Sequence, residues 1–281
     1  MHNKTVLITG GNSGIGKFTA LGLLREGAEV FIACRNKEKA MKAVQELESL
    51  SGVKGKVWAL ELDLADLHSI EAMALAFQAQ RPKLDVLINN AGVVTSKYQQ
   101  TRQGFELQFG VNHLGHFHLT HLLLSALREA SEPRVVNVSS AAYLRGTLDF
   151  NRLHQWPGKY IGLKAYAQSK LCNVLFTREM ARRYPEIDCN VLHPGVVSTE
   201  IGSKHTNLLE ALAWTLYRPF MVSPERGAKT SIFLASSPSV AGISGRFFDE
   251  NQNPRKLAAH AQSDTLAQRL WAQSEQWTLH P

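Results

Sequence analysis

The sequence predicts a doubly wound α/β fold, a single domain over 1–281 with a mainly parallel sheet and helices on both faces. Three observations predict it. Short β-branched or apolar runs alternate with longer helical patterns, and parallel strands need crossovers of that kind. The runs are apolar throughout rather than at every second residue, as strands covered on both faces are. The first run leads straight into a glycine-rich turn and a helical pattern, the junction where such sheets hold ligands.

In order, TVLIT from Thr5 is followed by a helix over Lys17 to Glu26, and EVFIAC by a helix over Lys37 to Leu50. KVWALEL precedes a helix over Ala65 to Gln80, and DVLIN closes the first half. RVVNVSS, a long helix around Tyr166 to Arg183, and CNVLH continue the alternation. No internal repeat, low-complexity tract or linker divides the chain.

With 281 residues and 44% hydrophobic content the chain can bury a full core. The net charge of +7 comes from Lys and Arg scattered among acids, so a phosphate-bearing small molecule suits it and no nucleic-acid partner is expected. Cys34, Cys172 and Cys189 are widely spaced, with no CxxC pair, so neither a disulfide framework nor a zinc site is indicated and a reduced setting fits. A strand beginning at Thr5 leaves no room for a signal peptide. LLEALAWTLYRPFMV is too short to span a bilayer and is broken by Glu210 and Arg218. A soluble, cytoplasmic protein is the expectation, with homo-oligomerisation left open.

TGGNSGIG, Thr9 to Gly16, is the most informative stretch. A bare backbone between strand and helix lets a pyrophosphate approach the free N–H groups and positive end of the helix. Gly10, Gly14 and Gly16 are spaced GxxxGxG rather than GxGxxG. Taken alone, the loop has as its lesser alternative an ordinary tight turn with helix-packing glycines.

Tyr166 and Lys170, in YAQSK, are four apart, which on a helix puts them about 40° apart and one turn along, on one face. A neighbouring ammonium favours the phenolate and makes a tyrosine usable in acid–base chemistry. HLGHFHLTH carries His113, His116, His118 and His121. On a regular helix these point to most of the circumference rather than to one centre, so no metal is expected.

TGGNSGIG, NNAG at Asn89 to Gly92, VVNVSS ending at Ser140, YAQSK and HPGVVST at His193 to Thr199 occur in one order. In that order they resemble the short-chain dehydrogenase/reductase family, from about Thr5 to Phe248. ACRN, NHLGHF and TLAQRLW resemble its retinol dehydrogenase-like branch. The resemblance implies a Rossmann fold and hydride transfer between a nicotinamide and a carbonyl or alcohol.

It further implies catalytic roles for Ser140, Tyr166 and Lys170, with the backbone carbonyl of Asn112 holding a water that connects Lys170 to solvent. By residue type alone, Asn112 reads equally as a helix cap or satisfied core amide. Period-two alternation lets only one of Ser139 and Ser140 face the site, and the resemblance selects Ser140. Cofactor contacts are implied for Gly10, Asn12, Ser13, Gly14, Ile15 and Gly16, for Asp63 and Leu64, and for Asn90, Ala91 and Gly92. Tyr166, Lys170, Pro194, Gly195, Val197 and Thr199 complete the set. Asp63 reads also as a cap before Ala65. The stretch from Leu144 to Gly162 is longer than in many family members, though similar to that of the retinol dehydrogenase-like branch, and is expected as an extra loop beside the pocket.

NAD-specific sites place an acid at the end of the second strand, whereas an arginine there accommodates the phosphate of NADP. Here Cys34 takes the place of the acid and Arg35 follows, with Lys17 and Lys37 as further cations. NADP is therefore expected over NAD. The resemblance implies that Glu200 to Val222 covers the substrate, where residues such as Leu208, Leu212, Trp214 and Leu216 would make an apolar lid. Its retinol dehydrogenase-like branch points toward a lipophilic carbonyl, the alternative being a packed lid over a small polar substrate. A basic surface also suits peripheral contact with anionic lipid. Two other readings are a catalytically silent dinucleotide sensor, which would be expected to lose Ser140, Tyr166 or Lys170, and a nucleotide-sugar epimerase or dehydratase, which would favour GxxGxxG and a longer substrate domain.

Overall fold

The computed structural model describes residues 1–195 and 223–279. The first half runs β1 (Thr5–Thr9), α1 (Gly14–Arg25), β2 (Glu29–Cys34), α2 (Lys37–Ser51), β3 (Val57–Glu61), α3 (Leu67–Gln80) and β4 (Val86–Asn89). Then come α4 (Leu107–Phe109), a π-helical turn (Gly110–Leu114), α5 (Gly115–Leu122) and α6 (Leu124–Arg128). The second half adds β5 (Arg134–Val138), α7 (Gly162–Arg183), β6 (Asp188–Leu192), α8 (Pro224–Ser236), β7 (Phe247–Phe248), β8 (Pro254–Arg255) and α9 (Asp264–Leu279).

The strands form one sheet in the order β3-β2-β1-β4-β5-β6-β7-β8, parallel except for the antiparallel β7–β8 pair. Strand order reverses between β1 and β4, so the carboxyl ends of these two strands frame the crevice where ligands bind in such sheets. Alternation along each strand feeds two cores. Val6, Ile8, Val30, Ile32, Val86 and Ile88 pack with Leu23 and Leu24 of α1, Ala43 and Leu47 of α2, and Leu234 of α8. Leu7, Phe31, Leu87, Val135 and Cys189 face the other way, onto Phe77 of α3, Phe117 of α5, Phe176 of α7 and Trp271 of α9. Among the described residues, no helix is long and apolar enough to cross a membrane.

Of the boundaries that differ from the sequence reading, four have a clear local setting. Helix α1 starts at Gly14 rather than Lys17, because the glycines of the turn are themselves its first turn. Helix α3 starts at Leu67, two residues late, because Asp66 caps it by accepting from the His68 N–H at 3.1 Å. Strand β5 stops at Val138, leaving both serines beyond it. Helix α7 begins at Gly162, a full turn before Tyr166.

The stretch between Ser140 and α7 is packed rather than a free loop. It contains two 3-10 turns, Ala141–Arg145 and Phe150–Arg152, and buries Leu153 and Trp156. Its Tyr160 hydroxyl donates to the buried Glu106 carboxylate at 2.7 Å and accepts from Gln108 Nε2 at 2.6 Å. The lid expected over 200–222, Trp214 included, lies outside the described residues.

Candidate active site

The glycine-rich turn leaves β1 through Gly10, whose φ of +67° lies in the left-handed region that favours glycine. A Cβ on Gly16 would clash with the Gly10 carbonyl oxygen, so the turn folds back on α1 only because Gly16 is bare. Ser13 is the N-cap of α1, and its side chain makes no capping hydrogen bond. The first-turn N–H groups therefore keep their donor capacity for an anion, which fits a pyrophosphate.

At the end of β2, Cys34 is buried and Arg35 exposed. Lys17, expected as a second cation there, is instead drawn into an ion pair with Glu46 of α2, because α1 and α2 run side by side on that face of the sheet. Asp63 Oδ1 accepts from the Ala65 N–H at 2.9 Å in a turn ahead of α3, whose cap is Asp66 rather than Asp63, next to Leu64, which is buried.

Across the switch point, Asn90 donates its backbone N–H to Thr9 Oγ1 at 2.9 Å and its Nδ2 to the Thr9 carbonyl at 2.8 Å. This pins the Asn90–Ala91–Gly92 loop to the glycine turn. A Cβ on Gly92 would lie 3.4 Å from Asn112 Oδ1 and 3.6 Å from Lys170 Nζ, which brings cradle, Asn112 and Lys170 together. The Asn112 side chain is fully used. It accepts from the Val93 N–H at 2.7 Å and donates to the Val93 carbonyl at 3.0 Å and to Ser169 Oγ at 2.9 Å.

The two serines after β5 separate as alternation requires. Ser139 Oγ donates to the Lys170 carbonyl at 2.8 Å and so faces α7. Ser140 accepts from the Ala142 N–H at 3.2 Å, and its side chain acts on the Tyr166 phenol closely enough to favour the phenolate. Burial raises the Tyr166 pKa, and the neighbouring Ser140 side chain opposes that in part. The direction is opposite to the one expected from a neighbouring ammonium, because desolvation of the phenolate dominates. Lys170 lies one turn along, its Nζ 5.7 Å from the Tyr166 ring centroid, and donates to the Val138 carbonyl at 2.9 Å. Burial pushes the Lys170 pKa down to about 8.

Pro194 and Gly195 follow β6, with the Gly195 N–H donating to His193 Nδ1 at 3.2 Å, whereas Val197 and Thr199 lie outside the described residues. The four histidines meet separate partners: His113 reaches Ser274, His116 reaches Thr9, His118 faces Glu71, and His121 stacks on Phe117. Sequence reading passed over Thr9 and Ser139 as site residues. The signal for Thr9 lay in its place at the head of TGGNSGIG. For Ser139, only the register of β5 against α7 reveals the role.

Residues 4–208 match the model of a family described as short chain dehydrogenase. Retinol dehydrogenase 14 of Homo sapiens is 43% identical over 297 aligned residues, covering 98% of this chain and 86% of the relative. Dehydrogenase/reductase SDR family member 13 of Bos taurus is 43% identical, covering 98% and 73%. A solved structure of an uncharacterized protein from Mycobacterium Paratuberculosis superposes with a TM-score of 0.78 at 35% identity, over 99% of this chain and 94% of its own. A short chain dehydrogenase from Shigella flexneri 2a, complexed with NADP, shares the fold at a TM-score of 0.71 and 21% identity, over 89% and 98%. The ordered motifs, the parallel sheet and these likenesses agree: the chain belongs to the short-chain dehydrogenase family, as an NAD(P)-dependent dehydrogenase/reductase.

Proposed function

We propose that this chain uses NADP to interconvert a lipophilic aldehyde or ketone with its alcohol, with Ser140, Tyr166 and Lys170 as its catalytic residues and Asn112 supporting Lys170. The observation that carries the reading is the Lys170 ammonium, held by the Val138 carbonyl at 2.9 Å, 5.7 Å from the ring of a buried Tyr166 on which Ser140 also acts. A sensor with no chemistry has no need of a proton donor poised in this way. Among the described residues, Gly10 to Gly16, Asp63 and Leu64, Asn90 to Gly92, Pro194 and Gly195 would hold the dinucleotide, with Arg35 beside the adenosine phosphate. When bound, the nicotinamide supplies or accepts the hydride.

The chain's own residues handle the proton. Ser140 donates a hydrogen bond to the substrate oxygen and orients it toward Tyr166. The Tyr166 phenol, kept protonated by burial, delivers its proton as negative charge develops on that oxygen. Lys170 then stabilises the phenolate left behind, which is worth most in a site of low dielectric. In the oxidative direction the same groups act in reverse, with the Tyr166 phenolate as base.

The relatives named retinol dehydrogenases support a lipophilic substrate, and the apolar composition of 200–222 supports a lid over it. Three free, buried cysteines suit a reducing, cytoplasmic setting, and the basic balance suits peripheral contact with anionic lipid. The test is NADPH consumption with straight-chain aldehydes of increasing length. Each buried methylene is worth about 0.8 kcal/mol, so kcat/KM climbs until the pocket is filled. A flat or falling series overturns the lipophilic substrate and leaves the dehydrogenase/reductase standing.

A further inference from the structure

His116 is 2% exposed and sits between the glycine turn and Asn112. Its Nδ1 faces the Asn112 carbonyl oxygen at 3.1 Å. A carbonyl can only accept, so Nδ1 carries the hydrogen. In the neutral ring Nε2 is then an acceptor, and it lies 2.8 Å from Thr9 Oγ1. Thr9 Oγ1 already accepts from the Asn90 N–H at 2.9 Å and the Ala91 N–H at 3.0 Å. Its own hydrogen therefore goes to His116, since its other acceptor, the Ile88 carbonyl, is at 3.4 Å. The directions of these bonds follow from two requirements, that a carbonyl cannot donate and that a backbone N–H cannot accept, together with a neutral ring.

The resulting chain runs from the Asn90–Ala91 backbone through Thr9 and the imidazole to the Asn112 carbonyl. It joins two parts of the site that come from opposite ends of the switch point. Asn112 sits within the π-helical turn Gly110–Leu114, where the regular helical ladder is out of step and a carbonyl direction is not set by the helix alone. The Asn112 side chain in turn bonds Ser169 on the helix that carries Tyr166 and Lys170.

We infer that His116 is a positioning residue: locked as the neutral Nδ1–H tautomer, it fixes the Asn112 carbonyl relative to Thr9 and the dinucleotide cradle. The inference rests on the function proposed above. Burial and the nearby Lys170 charge both oppose a second proton on the ring, holding its pKa at about 4. A doubly protonated ring would also turn an N–H toward a threonine oxygen that already accepts two hydrogen bonds.

The first measurement needs no turnover. Long-range proton–nitrogen NMR on histidine-labelled protein, assigned with His116→Gln, should show His116 neutral and protonated at Nδ1 from pH 8 to pH 5. An Nε2–H tautomer, or titration near the ordinary histidine value, overturns the assignment. The second measurement uses variants. His116→Phe retains a buried ring but leaves Thr9 and Asn112 without their partner, and should lower kcat and weaken NADPH binding by about tenfold each, with the aldehyde KM within about twofold. His116→Gln, whose amide offers one donor and one acceptor, should recover most of both. Thr9→Val, nearly the same in volume, should reproduce the loss and add little to His116→Phe in the double variant. Parental kcat and NADPH affinity in both His116→Phe and Thr9→Val overturn the inference. Absence of turnover in the parent protein instead counts against the proposed function, and the tautomer measurement still decides the role of His116.

Discussion

Lys170 Nζ lies 5.7 Å from the Tyr166 ring centroid while donating to the Val138 carbonyl at 2.9 Å, so the strand end holds the ammonium one helical turn from the phenol. Tyr166→Phe keeps the ring and removes the transferable proton. It should lower kcat by about a thousandfold while leaving NADPH affinity within a few-fold, as read by turnover and cofactor fluorescence titration. Ser140→Ala should cost on the order of tenfold to a hundredfold, because the substrate oxygen loses a single hydrogen bond. A Tyr166→Phe enzyme that turns over near the parental rate removes the phenol from the chemistry.

Lys170 brings a pH dependence with a definite sign. Burial holds its pKa at about 8. Below that value the ammonium stabilises the phenolate formed as Tyr166 gives up its proton, and above it the charge is gone. The kcat/KM for carbonyl reduction should therefore fall as pH rises through about 8. Lys170→Arg, which keeps its charge at every accessible pH, should be slower but should not show that fall. A parental profile that stays level from about pH 7 to about pH 9.5 would contradict the assignment.

Arg35 is the exposed cation next to the buried Cys34 at the end of β2, while Lys17 is held by Glu46. Arg35→Ala should weaken NADPH binding by roughly ten- to a hundredfold and leave NADH nearly unchanged, because a bidentate guanidinium–phosphate contact is lost. Calorimetric titration with both cofactors measures the ratio directly. An unchanged ratio separates Arg35 from cofactor choice.

Two buried histidines make the fold acid-sensitive. Burial holds His113 at about 3 and His116 at about 4, against an ordinary value of 6.5. Both pKa values are depressed in the folded chain, so unfolded protein binds these protons first. The stabilisation is complete above pH 6.5, falls progressively below it, and the loss levels off once pH has passed about 4 for His116 and about 3 for His113. Between pH 7 and pH 5 the pair together should withdraw about 4 kcal/mol. Urea unfolding at the two pH values should show this fall, and His113→Phe, which removes one titrating ring from an aromatic environment, should show about half of it. An equal fall in parent and variant would exclude His113 as a contributor.

Most of the sheet was legible because its strands are short runs of Val, Ile and Leu whose burial on both faces leaves a continuous apolar signal. TGGNSGIG was legible for a local reason too, since a turn that needs Gly10 at positive φ and a bare Gly16 tolerates few other residues. What stayed hidden depends on distant register. The π-helical turn at Gly110–Leu114 has no signature in side-chain periodicity, and the link between His116 and Thr9 spans 107 positions. Charge was misread where a partner was far off in sequence: Lys17 looked free for phosphate, but Glu46 is brought to it by the packing of α2 beside α1. The stretch before α7 read as a loop because its polar residues outweigh Leu153 and Trp156, whose burial depends on partners elsewhere in the fold.

Helix α9 closes the aromatic core from very late in the chain. Trp271 sits 5.0 Å from Phe117 and 5.8 Å from Phe176, centroid to centroid, and Ser274 meets His113 across 161 positions. During synthesis, Phe117 and Phe176 leave the ribosome on the order of ten seconds before Trp271 does. For that interval the nascent polypeptide carries an uncovered aromatic face beside a nearly finished sheet, a target for holdase chaperones. A stop codon just ahead of α9 would make that exposure permanent, yielding a product recognised by proteolytic quality control before its chemistry could be assayed.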